Sequence, residues 1–305
     1  MTRAHPPVVA VVGPTATGKS RLAVALARRL DGEVVNADAM ALYRGMDIGT
    51  AKPTLTERGG IPHHQLDVLD VTAAASVAAY QRHARTDLTA IAARGRTGVL
   101  AGGSGLYVRA ALDRLDIPPT DPATRRRLET DLGHHGAPAM HARLAALDPP
   151  AAAAIDPRNG RRVVRALEVL ELTGRRYAAT LPARQYHAAT VTIGLDLDVG
   201  RLDERIEARV ARMWADGLLD EVAALGTRGL RAGRTARTAL GYAQALEELA
   251  GRLTAAQAQE ATAAATRKVA RRQRSWFRAD PRIHWLPADA PDLLDRALRL
   301  VGDNG

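Results

Sequence analysis

The sequence predicts an α/β fold: a P-loop NTPase-like parallel sheet with helices on both faces, plus an all-helical insertion domain. Three observations predict it. The octapeptide Gly13-Pro14-Thr15-Ala16-Thr17-Gly18-Lys19-Ser20 fits the phosphate-cradling pattern G-x-x-x-x-G-K-[ST] at every position, between an apolar run (Val8–Val12) and a helical pattern (Leu22, Ala23, Leu26, Ala27, Leu30). Over the first hundred residues, short β-like runs alternate with helical ones. From Ile117-Pro118-Pro119 to about residue 188 the β-like runs stop, and Pro and Gly separate short helical segments.

Val8–Val12 reads as the first strand, delivering the chain into the phosphate loop. Its glycines let backbone N–H groups curl around an anion, and a helix over about 19–30 aims its positive end at the same place. Lys19 adds a full charge, and the Ser20 hydroxyl is placed to hold Mg²⁺. A di- or triphosphate ligand is therefore expected. Further strands are expected at Glu33–Asn36, Gln65–Leu69 and Thr97–Ala101, with helices over 75–94 and 105–113. Ligands of such sheets gather at the carboxyl ends of strands. There Asn36-Ala37-Asp38 and Gly102-Gly103-Ser104-Gly105 join the phosphate loop. Residues 39–53 form a glycine-punctuated segment with few core-forming residues, read as a binding surface or a disordered loop. After the insertion, Thr190–Leu195 returns to the sheet. Helices over 199–226, 236–250 and 254–278, a strand at Arg282–Leu286 and a helix at Pro291–Val301 complete the chain. The expected organisation is a core of 1–115 and 189–305, whose C-terminal part is helical, and an insertion of 116–188.

Lys+Arg number 43 against 33 Asp+Glu in 305 residues, a net charge of +10. Such a surplus fits a polyanionic partner, nucleic acid most economically, although a composition rich in arginine produces it too. The only lysines are Lys19, Lys52 and Lys268, and Lys52 is singled out as a point charge within the binding loop. The absence of cysteine excludes disulfides, thiolate catalysis and Cys-zinc sites. No apolar run approaches membrane-spanning length, and the N-terminal apolar run enters the phosphate loop directly, so a cytoplasmic protein without a cleaved signal is expected. The nine histidines show no metal-ligand spacing.

A nucleotide hydrolase would place an acid at the end of a neighbouring strand. Thr97–Ala101 ends in Gly-Gly-Ser-Gly instead, whereas the Glu33–Asn36 strand supplies Asp38, which should face the phosphate pocket; the alternative is a cap or turn residue. Asp196 and Asp198 compete as metal-side acids. Arg205 and Arg209 share one helix face at i, i+4. No acid occurs from Ala261 to Ala279, where Arg267, Arg271, Arg274 and Arg278 form a stripe with Lys268 and Arg272 alongside. That face suits a phosphate backbone, with Arg271 and Arg274 at its centre; an ordinary solvated basic face is the alternative.

NADAMALYRGMDIGTAKP following GPTATGKS, then AGGSGLYVRA, RRVVRALEV and ATRKVARRQRSWFR, resemble in order the motifs of the bacterial tRNA dimethylallyltransferases, or tRNA isopentenyltransferases, over residues 8 to about 286. The resemblance implies transfer of a dimethylallyl group from dimethylallyl diphosphate to N6 of the adenosine 3′ of the anticodon (position 37), in tRNAs reading codons that begin with U. It implies that residues 13–20 hold the prenyl diphosphate rather than ATP, with Mg²⁺ on Ser20. Asp38 matches the family's acid and is expected as general base. Ser104 stands where the family has Thr in GGTG, and Arg205 matches the arginine implicated at the diphosphate. Contacts to the tRNA anticodon stem-loop are expected from Asp38, Ala39, Met40, Ala41, Ser104, Arg125, Arg161, Arg162, Val163, Val164 and Arg165. The family's Ser and Gln are replaced by Ala39 and Arg161. A monomer is expected, with the reactive adenine flipped out of its stack.

Two other enzymes fit parts of the pattern. An adenylate isopentenyltransferase would use the same donor with free AMP, ADP or ATP, but would not need the insertion or the acid-free helix. A P-loop small-molecule kinase would need ATP as donor. A non-enzymatic RNA-binding module leaves the phosphate loop without a purpose.

Overall fold

The computed structural model describes residues 7–178 and 182–303. In chain order the elements are β1 (Val8–Val12), α1 (Lys19–Arg29), β2 (Gly32–Asn36), α2 (Leu55–Arg58), β3 (His63–His64), α3 (Val77–Ala93), β4 (Thr97–Ala101), α4 (Gly105–Leu112), α5 (Pro122–Leu147), α6 (Pro149–Ala153), α7 (Gly160–Thr173), β5 (Thr190–Asp196), α8 (Val199–Ala215), α9 (Leu218–Thr227), α10 (Tyr242–Leu249), α11 (Ala255–Arg278), β6 (Ile283–Pro287) and α12 (Leu293–Asp303). The strands form one parallel sheet in the order β3-β2-β4-β1-β5-β6. Val9, Ala10, Val11 and Val12 are all fully buried. A continuous apolar strand is what a parallel sheet covered on both faces requires. Val9 and Val11 join Leu22, Ala23 and Leu26 of α1 and Ile193 and Leu195 of β5 in one cluster. Truncating a fully buried member such as Leu26 to Ala would cost roughly 2–5 kcal/mol.

Several expectations are corrected. Gln65–Leu69 is not a strand, although its apolar residues alternate. Gln65 and Asp67 take left-handed conformations (φ 58° and 55°), which break an extended ladder, and the strand is the preceding pair His63–His64. The helix expected over 199–226 is two helices, α8 and α9, separated at Gly217 with φ 95°. The one expected over 236–250 is a 3₁₀ turn, Ala236–Thr238, followed by α10. The 39–53 segment contributes more to packing than its composition promised. Ala41, Leu42, Tyr43 and Met46 are buried, the last two against Met213, Leu218, Val222 and Tyr242. Glu221 ties the segment down by accepting from the N–H groups of Asp47 (3.1 Å) and Ile48 (2.8 Å).

The chain divides into two units, Met1–Asp113 with Tyr186–Gly305, and Arg114–Gln185. The second lies slightly N-terminal of the 116–188 read from composition. Its regular elements are α5, α6 and α7, packed on Leu128, Met140, Leu144, Ile155, Val163, Val164 and Leu167. α5 starts on the Asp121 cap and breaks at Gly136, next to Pro138.

Candidate functional site

Residues 13–20 turn the chain from β1 into α1. Gly13 has φ 132°, and a Cβ there would lie 2.5 Å from the Leu195 carbonyl oxygen, so only glycine fits. Ala16 (φ 63°) and Gly18 (φ 88°) complete the curl. The Thr17 hydroxyl donates to the Pro14 carbonyl at 2.9 Å and Lys19 Nζ donates to the same oxygen at 2.6 Å. α1 begins with no side-chain cap and no acid in its first turn. Its leading N–H groups and positive dipole end are thus open to an anion. Ser20 is exposed and its hydroxyl makes no hydrogen bond among the described residues.

Asp38 sits just past β2, where the Asn36 side chain organises the turn. Its Nδ2 donates to the carbonyls of Asp38 and Gln65 (both 2.9 Å), and its Oδ1 accepts from Asp38 N at 3.0 Å. The Tyr80 hydroxyl holds the Asn36 carbonyl at 2.8 Å. Asp38 Oδ1 accepts from Met40 N at 3.0 Å, a local turn bond that uses one oxygen of the carboxylate. The cap role and the catalytic role are therefore compatible. Ser104 Oγ accepts from Ala39 N at 3.1 Å, and Ser104 N donates to Ala37 O at 3.3 Å. The Gly102–Gly105 loop is thereby laced to residues 37–39.

The cations around Asp38 are Lys19 and Arg209. Burial pushes the Lys19 ammonium down to about 8, with Asp38 opposing and Arg209 adding to the shift. Burial lowers Arg209 as well, against the pull of Asp38. Arg209 Nη1 donates to Thr15 Oγ1 (3.1 Å) and Nη2 to the Thr50 carbonyl (3.1 Å). Sequence reasoning favoured Arg205, which is half-exposed one helical turn away and has no side-chain bond among the described residues. Arg209 is the arginine on the loop. Its i, i+4 relation to Arg205 was the available signal.

Other singled-out residues have structural duties. Lys52 is buried and bonds to Tyr43 O (2.8 Å), Asp47 Oδ1 (2.6 Å) and Asp67 Oδ1 (2.6 Å), so it staples the 39–53 segment and is not offered to a ligand. Asp198 caps α8 by accepting from Gly200 N (2.9 Å) and Arg201 N (3.2 Å). Asp196 binds Arg274 (3.1 Å) and Arg278. No cluster of three or more His, Cys, Asp or Glu suited to a metal exists among the described residues.

The basic stripe of α11 is not a bare row of cations. Arg267 pairs with Glu207 (2.6 Å), Arg271 with both oxygens of Asp203 (2.8 and 2.6 Å), and Arg274 and Arg278 share Asp196. Arg271 and Arg274, expected at the RNA backbone, are thus answered by acids of α8 and β5. Lys268 and Arg272 are exposed and unpaired among the described residues, with half-exposed Trp276 one turn further on the same face. The free positive face is the one alongside the stripe.

Within Arg114–Gln185 the expected contact residues separate likewise. Arg125 and Arg165 both bind Glu168, whose side chain is wholly buried, and Arg165 also donates to the carbonyls of Pro118 (2.7 Å) and Pro119 (2.8 Å). These bonds hold the unit together: burial by itself would raise the pKa of Glu168, but the hydrogen bonds and charges of Arg125 and Arg165 outweigh it and hold the carboxyl below its usual range, so it stays ionised. Val163 and Val164 lie in the helical core, at 0% and 1% exposure, so their side chains cannot meet RNA. Arg161 and Arg162 are exposed.

Known proteins are similar to this chain over most of its length. The family model described as IPP transferase matches residues 41–280. The tRNA dimethylallyltransferase of Thermobifida fusca is 61% identical over 299 residues, covering 96% of this chain and 94% of its own length. That of Streptomyces coelicolor is 60% identical, covering 97% and 96%. Among solved structures, the full-length tRNA isopentenylpyrophosphate transferase of Bacillus halodurans is 38% identical with a TM-score of 0.70, covering 98% and 97% of the two chains. A eukaryotic dimethylallyltransferase acting on tRNA is 25% identical with a TM-score of 0.78, covering 96% and 77%. With the family model spanning most of its length and relatives near 60% identity over nearly all of it, this chain belongs to the IPP transferase family.

Proposed function

We infer that this chain transfers a dimethylallyl group from dimethylallyl diphosphate to N6 of adenosine 37, in tRNAs reading codons that begin with U. The observation that carries the reading is local: the uncapped helix start after the phosphate loop lies with Lys19, Arg209 and the carboxylate of Asp38, whose second oxygen makes no hydrogen bond among the described residues. In the transfer the allylic C–O bond breaks, the diphosphate leaves with the electron pair, and a C–N bond forms to the adenine amine. Negative charge grows on the leaving diphosphate, where Lys19, Arg209 and the loop N–H groups oppose it. Positive charge on the attacking nitrogen is relieved when Asp38 takes a proton from N6. Ser104 holds the Ala39 N–H and so keeps the Asp38 turn beside the glycine loop.

Mg²⁺ fits the donors present. Its usual setting is one or two protein oxygens completed by substrate phosphate and water, and the unbonded Ser20 hydroxyl at the mouth of the loop offers one such ligand. When bound, the ion neutralises part of the diphosphate charge. In the core unit the tRNA contacts are assigned to Lys268, Arg272 and Trp276 on α11; within the insertion unit, taken by itself, Arg161 and Arg162 are the exposed cations of the expected segment. The exposed cations of α11, Lys268 and Arg272, which make no ion pair among the described residues, favour RNA over free AMP as the acceptor. Among the described residues no helix is long and apolar enough to cross a membrane. A cytoplasmic location accords with action on tRNA.

Incubation with dimethylallyl diphosphate, Mg²⁺ and either unmodified tRNA or AMP tests the reading. Prenyl incorporation into tRNA alone is expected. Incorporation into AMP alone would replace it with the adenylate enzyme, and a requirement for ATP with the kinase.

A further inference from the structure

One side chain of α11 reaches both loops of the site. Gln273 Oε1 accepts from Thr15 N at 2.9 Å, and its Nε2 donates to the Gly103 carbonyl at 3.0 Å. The phosphate loop needs an acceptor there and the glycine loop a donor, and a side-chain amide supplies both without charge. The fit is close, since a Cβ on Gly103 would lie 2.5 Å from Gln273 Nε2. Thr15 is also held from α8, through the Arg209 bond to its hydroxyl. α8 and α11 are themselves braced by Arg267–Glu207 and Arg271–Asp203. Gln273 directly follows Arg272, one of the two unpaired cations of the free face.

We propose that Gln273 is a positioning residue, which sets the phosphate loop and the Ser104 loop in one register and couples RNA engagement of α11 to the grip on the diphosphate. The role rests on the transferase reading of the site. Gln273 acts through Thr15 and Gly103, not on the reacting atoms. Without its amide the Thr15 N–H loses its acceptor and the ligand must order the loop, which weakens binding. RNA that steadies α11 lowers the same ordering cost, and linkage makes the effect reciprocal.

The test uses calorimetric binding of inorganic diphosphate with Mg²⁺, with and without an anticodon stem-loop RNA, and steady-state kinetics on the full chain. In the wild type, RNA should tighten diphosphate binding about fivefold or more. Gln273→Met keeps the side-chain length but removes both hydrogen bonds. It should raise the diphosphate Kd and the KM for dimethylallyl diphosphate about tenfold and abolish the response to RNA. RNA affinity and melting temperature should stay near wild type. Gly103→Ala, which evicts the amide, should reproduce the defect, and the double variant should be no worse than the stronger single one. Unchanged diphosphate binding in Gln273→Met, equal losses of RNA and diphosphate affinity, or a wild type indifferent to RNA would each overturn the proposal. Transfer by the wild type is scored in the same samples. A wild type that couples RNA to diphosphate yet transfers nothing would sink the transferase reading while leaving the role of Gln273 standing.

Discussion

Raising the pH from 7 to 9 should loosen the grip on diphosphate about tenfold. Lys19 Nζ rests on the Pro14 carbonyl, and burial lowers its ammonium from 10.5 to about 8. At 1.36 kcal/mol per pKa unit, that is roughly 3 kcal/mol set against the charged form in the ligand-free site. A bound diphosphate supplies the missing counter-charge, so the protonated lysine is the form that binds. With a free-site pKa near 8, the protonated fraction falls from about nine-tenths at pH 7 to about one-tenth at pH 9, and the Kd rises in proportion. The stability of the ligand-free fold moves the other way. The unfolded chain holds this proton up to about 10.5, so between about pH 8 and 10.5 it binds more protons than the native state, and stability rises with pH. Calorimetry with inorganic diphosphate at fixed Mg²⁺ and pH 7, 8 and 9, in buffers of differing ionisation enthalpy, measures both affinity and proton uptake. Lys19→Met should bind weakly and without this pH dependence. A wild-type Kd that stays constant across the range would refute the argument.

Asp38→Asn should leave RNA affinity near wild type while cutting turnover by on the order of a hundredfold or more, measured under single-turnover conditions. Unchanged turnover would remove Asp38 as the proton acceptor. Lys268→Ala with Arg272→Ala should weaken RNA binding and reduce the slope of log K against log salt by about 2, whereas Arg271→Ala, which breaks an existing ion pair, should change it less. Equal slopes for the two sets would return the RNA face to the paired stripe. Glu168→Ala strands Arg125 and Arg165 around a vacated buried carboxylate and should destabilise the insertion unit by about 3 kcal/mol or more, read by hydrogen exchange in α5 and α7. Protection unchanged from wild type would show that the pair contributes nothing.

Features encoded within a few consecutive residues are legible in the sequence. β1, β4 and α11 fall where their apolar runs and helical spacing put them. Errors arose where a local pattern had two outcomes. Gln65–Leu69 carries strand-like alternation, yet the left-handed Gln65 and Asp67 make it a turn whose carbonyl at Gln65 receives Asn36. Val163 and Val164 adjoin exposed arginines in sequence, but the helix rotates them into the core of their unit. Lys52 carried the signature of a ligand-binding lysine. Its partner Asp67 lies on another segment, and that ion pair makes it a staple.

The chain's own order of residues determined the phosphate loop, the rhythm of strand and helix, and Asp38 at a strand end, because each depends on bonds and side-chain periods spanning a few neighbours. Tertiary structure decided which charges remain available. Asp196, Asp203 and Glu207 neutralise arginines of α11 that lie sixty or more residues later, leaving Lys268 and Arg272 without an ion pair among the described residues. It also brought Arg209 and Gln273 onto Thr15. Ion pairs and hydrogen bonds between such distant segments form only once the sheet sets its helices side by side, and no spacing along the chain announces them.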